Sequence, residues 1–97
     1  MSGQNWAYLL RCADGTFYAG WTNDLDRRLA AHNAGTAAKY TRGRRPVALA
    51  WAGCFATRGE AMSKEVALKR LTRAEKQRLA DGWPGLPQAD ALPDLPD

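Results

Sequence analysis

The sequence predicts a small α/β (α+β) domain with the element order ββαβαα. Three features carry that expectation. Two aromatic-rich runs flank a tight-turn tripeptide, a later run alternates with period two, and two threonine–glutamate capping boxes open successive helices.

The first two runs, Trp6 to Cys12 and Thr16 to Gly20, lie on either side of Ala13-Asp14-Gly15 and read as a β-hairpin. Tyr8 and Tyr18 are ten positions apart, so they share a sheet face only if the loop has an odd number of residues. A three-residue loop with Gly15 at the positive-φ position meets that condition, whereas a two-residue turn at Asp14-Gly15 puts the tyrosines on opposite faces. Taken alone, two strand tyrosines read as core packing.

A helix is expected from about Asp24 to His32. Thr22 or Asn23 can cap it, Asp24 and Asp26 suit the positive end of its dipole, and Gly35 can close it after Asn33. Lys39 to Pro46 reads as a flexible basic loop because glycine and proline bracket its arginines. Val47 to Phe55 is a third strand with Leu49, Trp51 and Phe55 on one alternation. Thr57-Arg58-Gly59-Glu60 opens a helix to about Arg70, and Thr72-Arg73-Ala74-Glu75 opens another that stops at Gly82. Residues 83–97 hold four of the five prolines and no basic residue, so they sustain neither helix nor ladder. The expected organisation is one domain over 1–82 and a loose tail over 83–97, with Trp83 as its one candidate for docking.

Composition narrows the function classes. A chain of 97 residues accommodates one core, and no apolar run approaches the roughly 18 residues that span a bilayer. The polar start, Met1 to Asn5, lacks a secretory layout, which places the expected compartment in the cytoplasm. Cys12 and Cys54 stand far apart in apolar segments and are expected to be buried thiols rather than a disulfide or zinc ligands. Charge is informative once located: the first 80 residues contain all fourteen lysines and arginines against six carboxylates, a formal +8. Such a field favours polyanions, although a basic surface also serves solubility alone.

Several polar residues fall on stripes expected to face the core. Leu25, Arg28, Leu29 and His32 share one helical face, whereas Arg27 lies with Asp24 and Ala31 on a solvated side. Either Arg28 snorkels past the leucines and His32 is a satisfied, half-buried histidine, or the pair faces a site. On the later helix Glu65 shares a stripe with Ala61 and Leu68, where a carboxylate needs either an internal partner such as Arg28 or a metal.

Tyr8, Tyr18-Ala19-Gly20, Arg28, His32 and Glu65, in that order, resemble the motif set of GIY-YIG endonucleases, specifically short stand-alone bacterial members. The similarity spans roughly residues 6 to 80. Asp14-Gly15, the run Lys39 to Pro46 and the run Lys69 to Lys76 resemble that subgroup too. The first tripeptide is altered to Trp6-Ala7-Tyr8, and Trp21 stands where some relatives have lysine. The resemblance implies a three-stranded antiparallel sheet flanked by helices, with a site on the face formed by the hairpin and the first helix.

It further implies a metal-dependent endonuclease that hydrolyses nucleic-acid phosphodiesters, DNA favoured over RNA and repair intermediates included. Glu65 would hold one Mg²⁺ or Mn²⁺ ion, Arg28 would bond the scissile phosphate, Tyr8 or Tyr18 would take the water's proton, and His32 would orient or accept from that tyrosine. Lys39, Arg42, Arg44 and Arg45 are the candidate phosphate contacts. The chain is expected to act as a monomer. Two rivals remain at this point: a catalytically weak nucleic-acid-binding module of the same fold, and an interaction domain using the proline-rich tail.

Overall fold

The computed structural model describes residues 4–86. Strands β1 (Asn5–Arg11), β2 (Phe17–Thr22) and β3 (Ala48–Phe55) form one sheet in the order β2-β1-β3. Both pairings are antiparallel, as expected for a sheet built around a hairpin. The helices are α1 (Leu25–Ala34), α2 (Lys39–Arg42), α3 (Arg58–Lys69) and α4 (Arg73–Asp81).

The hairpin has the three-residue loop. Leu10 pairs with Tyr18 and Tyr8 with Gly20, and the Cys12 amide donates to the Thr16 carbonyl at 2.8 Å, leaving residues 13–15 as the tip. Gly15 takes φ 85°, the left-handed value such a loop requires. Tyr8 and Tyr18 therefore occupy one face as diagonal neighbours.

The two faces of the sheet build two cores. On one, Ala7, Leu9, Phe17, Ala19 and Ala50 pack against Leu68 of α3 and Leu79 of α4. On the other, Tyr8, Leu10 and Cys12 pack against Leu25 and Leu29 of α1 and against Val47. The alternation expected for the third strand is interrupted. Leu9 pairs with Trp51 but Leu10 with Leu49, so Ala50 is the extra residue of a β-bulge. Leu49 consequently joins the Tyr8 core, while Trp51 and Phe55 stay with α3.

Both capping boxes form, with Thr57 and Thr72 accepting from the amides of Glu60 and Glu75. The cap of α1 differs from expectation: Asp24 itself accepts from the Arg27 amide at 3.1 Å, and Thr22 instead accepts from the Asp24 amide at 3.0 Å. Gly35 closes α1 at φ 84°. The basic run is not a free loop. Residues 39–42 form the helical turn α2, and the Arg45 guanidinium donates to the carbonyls of Arg42 at 2.7 Å and Asn33 at 3.5 Å. The Asn33 side chain pairs with both main-chain groups of Val47, at 2.7 and 3.0 Å, as a neighbouring strand would.

Cys12 is buried, and burial pushes its thiol pKa up; Cys54 is exposed on edge strand β3, contrary to its apolar sequence context. Past the expected boundary, Trp83 is half-buried and Leu86 packs against the α1-side core, so these residues are not loose. Residues 87–97 of the expected tail lie outside the described residues. No helix among the described residues is long and apolar enough to cross a membrane.

Candidate functional site

The centre of the site is a buried hydrogen-bonded chain. His32 is wholly inaccessible, with Nε2 2.8 Å from the Tyr8 hydroxyl and Nδ1 2.9 Å from Thr41 Oγ1. Thr41 spends its own proton on the Ala38 carbonyl at 3.2 Å, so its oxygen must accept from Nδ1–H. That leaves Nε2 with the lone pair, and Tyr8 donates to it. Burial, with the nearby Arg28 charge, lowers the His32 pKa, which keeps the ring neutral at neutral pH. Burial is also the main cause that raises the Tyr8 pKa, joined by Tyr18 and Glu65 and opposed by Arg28. Tyr8 is therefore a neutral phenol whose proton points at a neutral imidazole.

Gly20 makes room for this arrangement. A Cβ there would lie 2.5 Å from the Tyr8 hydroxyl and 2.6 Å from its ring carbon Cζ, so the tyrosine lies directly over the glycine. Tyr18 is half-buried and meets the His32 ring edge-on at 5.3 Å; among the described residues its hydroxyl has no hydrogen-bond partner.

Arg28 is not buried as Leu25 and His32 of its stripe are. It is exposed, as Arg27 is, and both line a cleft of about 310 Å³ with Thr22, Asn23, Asp24 and Ala31. The two are still distinct electrostatically, because it is the Arg28 charge that acts on Tyr8 and His32. Glu65 is not its partner: that carboxylate, 19% exposed, pairs with Lys69 at 3.3 Å. Glu65 projects from α3, on the sheet face opposite α1, yet its charge is felt at Tyr8. Tyr8, Tyr18 and His32 thus meet on the face shared by the hairpin and α1, and Glu65 stands on a helix packed against the other face. Trp21 lies outside the tyrosine face, with the Arg58 guanidinium 5.6 Å from its ring centroid.

The four candidate phosphate cations separate into two kinds. Arg44 donates to Asp14 at 3.0 Å and to the Tyr40 carbonyl at 2.8 Å, and Arg45 is tied to main-chain carbonyls. Lys39 and Arg42 have no such tether among the described residues, and Arg42 lies between two open clefts. Sequence reasoning missed Thr41 and Tyr40 as site residues, since only the cations of their run were named as candidate contacts. An aromatic beside a hydroxyl residue within that basic run was the available signal. Among the described residues no three His, Cys, Asp or Glu side chains gather as a preformed metal cage.

Comparison with known proteins places this arrangement. Residues 4–78 match the GIY-YIG catalytic domain family. A UPF0213 protein of Bacillus pumilus is 58% identical over 69 residues, covering 71% of this chain and 70% of that protein. An archaeal UPF0213 protein, from Halobacterium salinarum, is 51% identical over 72 residues, covering 74% of this chain and 94% of that protein, so the group is not confined to bacteria. Among solved structures, the UPF0213 protein of Bacillus halodurans shares 43% identity at TM-score 0.51, covering 79% of this chain and 82% of that one. Shared sequence and shared fold agree: the chain belongs to the GIY-YIG family, in the UPF0213 group.

Proposed function

We propose that this chain is a nucleic-acid-binding GIY-YIG domain that engages backbone phosphates. The observation that carries this reading is the placement of its cations. Arg28 stands beside the Tyr8–His32 pair, and Lys39 and Arg42 project from the short helix whose Thr41 bonds His32. None of the three forms an ion pair with a carboxylate among the described residues. The test is the salt dependence of binding to labelled linear, branched and single-stranded DNA. Lys39→Ala and Arg42→Ala should each reduce the slope of log affinity against log salt by about 0.9 on duplex probes. Unchanged slopes and affinities would assign these cations to solubility.

A finer reading, phosphodiester hydrolysis, is favoured by the direction of the Tyr8–His32 hydrogen bond. A phenol with a raised pKa is a poor free base, but Tyr8 can take a proton from an attacking water while passing its own to His32 Nε2. The transfer leaves an imidazolium and no phenolate. The Arg28 charge favours negative charge developing beside Tyr8, and the residue is exposed and so accessible to a phosphate.

Glu65 suits a hard divalent ion, since Mg²⁺ is commonly held by one or two carboxylates with water and substrate phosphate completing its shell. When bound, such an ion supplies charge neutralisation at the phosphate. Lys69 engages one of the two Glu65 carboxylate oxygens. Single-turnover incubation with Mg²⁺ or Mn²⁺, with and without chelator, tests the hydrolytic reading. Binding that persists without any metal-dependent product leaves the domain as a binding module.

A further inference from the structure

The hairpin tip and the α2 turn are clasped together beside the site by side chains to which the proposed function gives no role. Asp14 is fixed within the tip: one carboxylate oxygen accepts from the Thr16 amide at 3.1 Å and the Thr16 hydroxyl at 2.6 Å. The other accepts from Arg44 Nε at 3.0 Å. Arg44 also donates through Nη1 to the Tyr40 carbonyl at 2.8 Å and lays its guanidinium 3.9 Å from the Tyr40 ring centroid. The Tyr40 ring in turn stacks on Tyr18, with centroids 5.8 Å apart and planes 25° apart, and Tyr18 abuts His32. The next residue, Thr41, accepts the His32 Nδ1 proton.

We infer that Asp14 and Arg44 are positioning residues whose clasp sets the direction of the Tyr8–His32 hydrogen bond. It holds the α2 turn where Tyr40 braces Tyr18 and where Thr41 selects the imidazole tautomer that leaves Nε2 bare toward Tyr8. The inference rests on the proposed proton relay and adds to it the residues that aim it. Charge attraction is the smaller part of the clasp, because the side chains are 38% and 47% exposed and such ion pairs are worth little in water. Geometry is the larger part: one planar guanidinium serves a carboxylate, a carbonyl and a ring face at once, which a lysine ammonium cannot. The segment does not depend on this side chain for its docking. The Ala13 amide donates to the Arg44 carbonyl at 2.9 Å, and the Asn33–Val47 pair anchors the next residues. Substitution at Arg44 thus loosens the turn without releasing it.

His32 is the single histidine of the chain, so ¹⁵N spectra of the imidazole report the tautomer without ambiguity. The parent should show Nδ1 protonated and Nε2 bare. Arg44→Gln and Asp14→Asn should show mixed tautomers and faster exchange of the Nδ1 proton, and Arg44→Lys should group with Arg44→Gln because it keeps charge and loses the fork. With labelled branched DNA and Mg²⁺, single-turnover cleavage should fall on the order of ten- to a hundredfold, while Kd and its salt slope stay at the parental values. A parental tautomer in all three variants overturns the inference. So does a parental tautomer with weaker binding and a slope reduced by about 0.9, which would make Arg44 a phosphate contact. Should the parent cut no DNA, the hydrolytic reading fails by itself, and the tautomer comparison still decides the clasp.

Discussion

The Tyr8 hydroxyl satisfies a lone pair on a wholly buried imidazole, so removing it leaves that nitrogen without a partner. Tyr8→Phe is expected to lower unfolding free energy by about 1–3 kcal/mol in denaturant titration, and to stop cleavage as well. Gly20→Ala tests the same contact from below. The added methyl would force the buried Tyr8 ring to shift, so a destabilisation of about 1–3 kcal/mol is expected, together with loss of the parental His32 resonances. Arg28 and Arg27 form a matched pair, equal in charge and both exposed, but only Arg28 bears on Tyr8. Arg28→Ala should cost about 2.7–4 kcal/mol in the chemical step measured by single-turnover cleavage, and Arg27→Ala should spare it. Glu65→Gln should stop cleavage while binding persists, since the loss of a carboxylate near phosphates removes a repulsion. If Arg28→Ala and Glu65→Gln cut at the parental rate, the hydrolytic assignment of this site is wrong. The sequence order of Tyr8, Arg28, His32 and Glu65 marked these residues as a group. It did not reveal that Arg28 sits at the rim, because helical periodicity gives a direction and not a depth.

At the scale of elements, the joints carry the site. Asp24 caps α1, and Asp24→Ala should cost about 1 kcal/mol in thermal or chemical unfolding. Asn33 acts as a short strand beside Val47, and Asn33→Ala leaves two main-chain groups without that partner. A larger loss, about 1–3 kcal/mol, is expected there, and equal losses at Asp24 and Asn33 would refute the special weight given to this joint. The hairpin and the two capped helices were legible because each is specified by residues within a few positions of one another. The bulge at Ala50 was not, since nothing local distinguishes an extra strand residue from a regular one. The α2 turn escaped for a related reason. Four residues followed closely by Gly43 and Pro46 are too few to hold a helix by propensity, and this turn is secured by Thr41 on His32, by Tyr40 on Tyr18 and, just beyond it, by Arg44 on Asp14.

Across the whole molecule, His32 couples protonation to folding. Its folded pKa lies below the unfolded value of about 6.5, so its contribution is complete above that pH and is lost as pH falls from there toward the lowered folded value. Melting temperature should therefore decline on acidification below about pH 6.5. A titration of the lone imidazole that gives a pKa at or above the unfolded value would sink this account. The sequence by itself determined the fold class, the hairpin register and the family, because period-two and period-3.6 patterning, loop parity and capping boxes are local rules that the chain obeys. It also determined that the first 80 residues are strongly basic. Only the tertiary structure decided which tyrosine bonds the histidine, which way that proton points, and that Arg44 is held by Asp14 while Glu65 is held by Lys69. The first three choices depend on side chains 9 to 30 positions apart meeting at hydrogen-bonding distance, and the last on Glu65 turning to a residue one helical turn away; neither composition nor periodicity records the depth and angle at which separate elements pack.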